Sequence, residues 1–169
     1  MKKTIALMLC IVLSLSLFTA CANTNGDNTG NNGAANDVNV AISDVWAGIE
    51  GAIGADNMAG AMDLDGEMLM TLYGIDEADL EEYYARMPMM NVHAEEFFIA
   101  KVKEGKMDTV KAGIEKRLAD LDATWSQYLP EQYELVKNAQ VIENGNYIML
   151  AVSQHADKAV SSFNELTAQ

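Results

Sequence analysis

The sequence predicts an α+β fold in which a long amphipathic helix and shorter helices cover an antiparallel sheet of about four strands, arranged as two hairpins. Three observations carry this expectation. Apolar residues recur at three- and four-residue spacing over 42–53 and 107–129; Val, Ile, Phe and Met dominate 85–103 and 140–153; and Asn144-Gly145 divides the second of those apolar stretches.

Taken in order, Ile42, Val45, Trp46, Ile49, Ala52 and Ile53 form one helical stripe that ends near Gly54, with Ser43 or Asp44 available to cap its start. Gly48 and Gly51 lie inside this helix and weaken it by about 1 kcal/mol each, so it must lean on tertiary packing. A short helix follows from Gly66 to Tyr73, stopped by Gly74. Asp76 then caps a third helix that turns Leu80, Tyr83 and Tyr84 inward. Two strands come next, Ala85 to Val92 and Glu95 to Lys103. In the second, Phe98, Ala100 and Val102 share one face, while Phe97 and Ile99 share the other. Pro88 removes a ladder donor, which marks the first strand as an edge or as bulged there. Met107 to Leu129 is the long helix, with Val110, Ile114, Leu118, Leu121, Trp125 and Tyr128 in one stripe, and Pro130 ends it. Gln140 to Glu143 and Asn146 to Ser153 form a hairpin about Asn144-Gly145, which would set Ile142 opposite Tyr147 and Val141 opposite Ile148. A last helix covers Asp157 to Leu166.

The first residues read as an address. Met1-Lys2-Lys3 precedes an apolar run from Ile5 to Phe18, shorter than the ~20 residues a membrane span needs, and small residues then lead to Cys21. Residues 1–20 are therefore expected to be a lipoprotein signal peptide. The segment Leu17-Phe18-Thr19-Ala20-Cys21 resembles the lipobox of bacterial lipoproteins, with Phe18 where Leu is usual. Cys10 and Cys21 are the only cysteines, and Cys10 falls in the segment to be removed. Cys21 thus has no internal disulfide partner, and thioether lipidation is its expected use. Residues 22–37 are rich in Asn and Gly and cannot bury enough surface to order themselves, so residues 21–37 read as a lipidated cysteine and a tether spanning on the order of 20 Å. The rest, 38–169, is expected to be a single acidic α+β domain. Its location would be the outer face of the bacterial cytoplasmic membrane, held there through Cys21.

Composition narrows the function. With 25 acids against 11 bases, a formal charge of −14 and two arginines, the 169-residue chain is ill suited to nucleic acid or to a polybasic membrane patch. Met87, Met89, Met90 and His93 would suit a soft metal, but a methionine strand that fills irregular core space explains them better. His93 and His155 are the only histidines and neither belongs to a zinc motif. Asp63, Asp65 and Glu67 fall short of a calcium loop. With Gly66 at the required glycine, Ala61 and Leu72 take the first and last ligand positions, which leaves at most a weak divalent site. Glu95 and Glu96 point to opposite faces of a strand, unlike paired glycosidase acids. Ser153, His155 and Asp157 lie too close in sequence for a triad and read as a strand end followed by a helix start. No catalytic, cofactor-binding or metal-ligating residue is assigned.

A resemblance adds to the address. Leu72-Tyr73-Gly74-Ile75-Asp76, Met87-Pro88-Met89-Met90-Asn91-Val92, Lys116-Arg117-Leu118, the run from Tyr128 to Val136 and Gly145-Asn146-Tyr147 resemble a family of uncharacterised lipoproteins of low-GC Gram-positive bacteria that share a domain of unknown function. The likeness covers about residues 40–155. It implies a surface-anchored lipoprotein and brings no catalytic residues. The expectation is a non-catalytic binding or interaction module of the cell envelope, recognising an envelope protein or a small ligand. An envelope hydrolase with an unrecognised carboxylate or histidine site, and a metal or small-molecule scavenger, are the alternatives.

Overall fold

Both faces of the sheet are covered by helices, and this explains the apolar runs that mark its central strands. A computed structural model describes residues 39–58 and 60–168. The expected signal peptide, Cys21 and the tether lie outside them. The strands are β1 (Ala61–Asp63), β2 (Leu80–Pro88), β3 (Glu96–Val102), β4 (Gln140–Asn144) and β5 (Tyr147–Val152). They form one antiparallel sheet in the order β1-β2-β3-β5-β4, with five strands rather than about four. The helices are α1 (Ile42–Ile53), α2 (Gly66–Tyr73), α3 (Met107–Trp125), α4 (Pro130–Lys137) and α5 (Ala156–Thr167).

Strand alternation sorts the core into two layers. Phe98, Ala100, Val102, Ile148 and Leu150 meet α2, α3 and α4 through Leu69, Tyr73, Val110, Ile114 and Val136. On the other face Phe97, Ile99, Tyr147, Met149 and Ala151 meet α1 and α5 through Val45, Trp46, Ile49, Ala159 and Phe163. The expected division of β3 between its two faces is therefore observed. Burying an aliphatic or aromatic side chain contributes about 1.5–3 kcal/mol, so the two layers together outweigh weak local helix propensity.

Several local expectations change. Helix α1 begins at Ile42, so Ser43 and Asp44 sit inside its first turn, and the cap comes from β2: the Ile42 N–H donates to Glu82 Oε2 at 2.8 Å. A distant carboxylate suits the positive end of the helix as well as a local one would. Asp76 caps only a single 3-10 turn, Glu77–Asp79, because Leu80, Tyr83 and Tyr84 are drawn into β2, where they pair with β3. β2 is not an edge. The short strand β1 covers it, Pro88 sits at its last position opposite Ala61, and the irregularity falls at its other end, between Leu80 and Glu82. Pro130 does not merely end α3; it opens α4 at the first helical position, where its missing N–H costs nothing.

The hairpin is shifted by one residue. Asn144 pairs with Tyr147, Ile142 with Met149 and Val141 with Leu150, so the connecting residues are Gly145 and Asn146. Gly145 has φ +60° and Asn146 is not in the positive region, the pattern of a II′ loop rather than the I′ loop expected for Asn-Gly. Asn144 is held as a strand residue because its side-chain amide donates to Asn164 Oδ1 and Thr167 Oγ1, both at 2.9 Å, near the end of α5.

Candidate functional site

Two features converge where β3 enters the sheet, one on each side of the Glu95-Glu96 pair. Alternation sends Glu96 inward, where it is 1% exposed. Arg117, from the middle of α3, donates Nε to Glu96 Oε1 at 2.8 Å and Nη2 to Oε2 at 2.5 Å. The Tyr73 hydroxyl, from the last turn of α2, also donates to Glu96 Oε1. Burial first, and then the Glu96 charge, push the Tyr73 hydroxyl well above its usual range. Burial alone would lower Arg117, but its hydrogen bonds to Glu96 outweigh that and hold it above its usual value. With three donors upon it, this carboxylate is occupied in joining α2, α3 and β3, and it is poorly placed to act as a base. The sequence marks Arg117 only as part of the family resemblance and assigns it no partner.

Glu95 faces the other way, into a cleft of about 450 Å3 at the end of the sheet. Arg86 and Pro88 of β2, His93 and Glu95 of the β2–β3 connection, and Phe97 of β3 line it. Helix α4 closes one side with Glu131, Gln132 and Leu135. Two hydrogen bonds fix this geometry. The Ser153 hydroxyl donates to Glu95 Oε1 at 2.6 Å, and the Ala94 N–H donates to Gln132 Oε1 at 2.8 Å, docking α4 against the β2–β3 connection. Arg86 lies 3.6 Å from Asp63 Oδ1 through Nε and 3.8 Å from Glu50 Oε1 through Nη1. Both separations allow attraction but exceed a good hydrogen bond, and Arg86 Nε is buried without an acceptor. Asp63 instead accepts from the Tyr84 hydroxyl at 2.8 Å. Burial, followed by that hydrogen bond, pushes the Tyr84 hydroxyl up to about 12.

The remaining sequence candidates are dispersed. Ser153 is spent on Glu95 and on the His155 N–H at 3.0 Å, and it directly follows β5 in the short link to α5. Asp65 caps α2 by accepting from the Met68 N–H at 2.9 Å. Met87 packs against the core, whereas Met89 and Met90 are 63% and 58% exposed on the β2–β3 connection; their assignment to a core-filling strand is therefore corrected, because the strand ends at Pro88. Among the described residues no group of three or more His, Cys, Asp or Glu could hold a metal ion, and no helix is long and apolar enough to cross a membrane.

Residues 55–153, which contain β1 through β5, the Glu96 cluster and most of the cleft, match the family described as a domain of unknown function (DUF4358). The chain belongs to this family. Neither a curated protein nor a solved structure matches it. Helices α1 and α5 lie outside the matched DUF4358 segment and supply the second layer, while Arg86, Glu95, Glu96 and Arg117 all lie inside it.

Proposed function

We propose that the chain is a lipid-anchored extracytoplasmic binding module, with Cys21 carrying the anchor, residues 22–37 serving as the tether and the folded domain taking a small ligand at the outer face of the membrane. The observation that carries the binding reading is the cleft at the end of the sheet. It falls within the size range of small-molecule sites, and it combines apolar lining from Phe97 and Leu135 with a few fixed polar groups from different elements. The anchor reading is supported by the order of Lys2-Lys3, the apolar run and the lipobox-like Leu17-Phe18-Thr19-Ala20-Cys21.

A thermal-shift screen of the mature chain against metals, wall fragments, peptides and small metabolites tests the binding reading. A ligand at 100 times its Kd stabilises the native state by ~2.7 kcal/mol, which raises the midpoint by roughly 5 to 10 °C for a domain of this size. Reproducible turnover that survives repurification and disappears in a His93→Ala or Glu95→Gln variant would replace binding by hydrolysis. Intact mass tests the anchor: wild type is expected to carry an acyl increment that Cys21→Ala lacks, and a wild-type protein without it contradicts the assignment.

A further inference from the structure

We infer that the cleft is built for a zwitterionic amino-carboxylate, a free amino acid or short peptide, with Arg86 taking the ligand's carboxylate and Glu95 with Glu131 taking its ammonium group. This rests on the binding reading and specifies its ligand. The chain's two arginines are used in opposite ways. Arg117 is saturated by Glu96, whereas Arg86 keeps a buried Nε without an acceptor and has its nearest carboxylates at 3.6 and 3.8 Å. That Nε is closed off from solvent, but a guanidinium in a cleft wall with ion pairs this long is matched by a carboxylate, which its terminal nitrogens can bind through two parallel hydrogen bonds.

The other charges in the cleft select the second half of the ligand. Ser153 holds Glu95 Oε1 and so orients the carboxylate, leaving Oε2 for an ammonium donor. Glu131 brings a second carboxylate from α4. Gln132, whose Oε1 already accepts from Ala94, turns its amide donors to the remaining polar atoms of the ligand. Three carboxylates, Asp56, Glu95 and Glu131, against one guanidinium disfavour a phosphate dianion, and the guanidinium disfavours a diamine, which is cationic at both ends. An amino-carboxylate satisfies both signs at once, and Phe97 supplies an apolar contact for its side chain.

Isothermal titration of the full mature chain in detergent tests this, using the twenty amino acids and a set of alanyl dipeptides; which set binds identifies the source. The tightest compound is then repeated as its N-acetyl and its C-terminal amide forms. Each cap is expected to weaken binding roughly ten-fold or more, the loss of one charged hydrogen-bonded contact. In Arg86→Gln the penalty for amidation should vanish while that for acetylation remains, and Glu95→Gln should shift the balance the other way. The capped ligands on wild type carry the test should a variant fail to fold. Indifference to both caps, or binding confined to control sugars, sugar phosphates or diamines, overturns the zwitterion assignment and leaves the binding reading standing. Absence of binding by every compound, controls included, overturns both.

Discussion

Arg117 on α3 grips Glu96 at the first position of β3 through two hydrogen bonds, of 2.8 and 2.5 Å, in a site where the carboxylate is 1% exposed. Removing one partner of such a pair strands a buried charge, so Arg117→Ala is expected to destabilise the domain by about 3–5 kcal/mol. The double change Glu96→Leu with Arg117→Met should recover much of that loss, because no charge then remains to be desolvated. Denaturant unfolding of the three proteins measures it. A double variant as unstable as the single one would show that the cluster contributes more than mutual neutralisation.

Stability should fall on the alkaline side. Tyr84 is raised to about 12 and Tyr73 well above its usual value, so in the unfolded chain both ionise near pH 10 while in the fold they resist. The stabilisation is complete below pH 10 and is lost as pH rises through the folded values. Absorbance titration near 295 nm should show several tyrosines that ionise late, Tyr73 only together with unfolding, since burial also raises Tyr83 and a hydrogen bond to Asp122 raises Tyr133. Replacing Tyr84 with Phe should remove one late component, and unchanged late titration in that variant would contradict the placement of its hydroxyl.

Two glycines in helices should respond oppositely to alanine. A Cβ at Gly51 in α1 meets nothing within 4 Å, so Gly51→Ala should gain up to ~1 kcal/mol from helix propensity. At Gly113 in α3 a Cβ would overlap Ile75 Cγ1 and sit 3.0 Å from the Tyr73 carbonyl oxygen. There the crowding should exceed the propensity gain and cost about 1–3 kcal/mol. Equal midpoints for the two variants would mean that α3 does not approach the end of α2 this closely.

The Gly145→Val variant places a β-branched residue at φ +60° and should lose more than the ~1 kcal/mol of an ordinary surface change. Asn146→Gly should be mild by comparison, since Asn146 is the second loop residue and does not require positive φ. The reverse order of stabilities would restore the Asn144-Gly145 loop.

What the sequence made legible followed periodicity. The stripe of α3 from Val110 to Trp125 and the two faces of β3 were readable because their apolar spacing is set by the same core that buries them, whereas Tyr128, expected in that stripe, lies past the end of α3 and is 51% exposed. The register of the β4–β5 hairpin was not, because Asn144 is fixed by Asn164 and Thr167 on α5, a contact that local turn preference cannot contain. β1 has three residues and no alternation to read. Pro130 is equally a stop and a start, so α4 and its contribution to the cleft went unread. Arg117 did leave a signal: it lies three residues after Ile114 and four before Leu121, a charged residue on the buried stripe, which demands a buried partner of opposite sign. Arg86 left none, because the cleft it lines is assembled from elements far apart in sequence.

Amide chemical-shift mapping of the mature chain, titrated with the tightest compound from the screen, tests most directly whether the cleft is the binding site. The expected result is a saturable set of shifts centred on Arg86, His93, Glu95 and Gln132, with the α1–α5 face unmoved. Shifts centred on that face, or spread across the sheet without saturation, would contradict it.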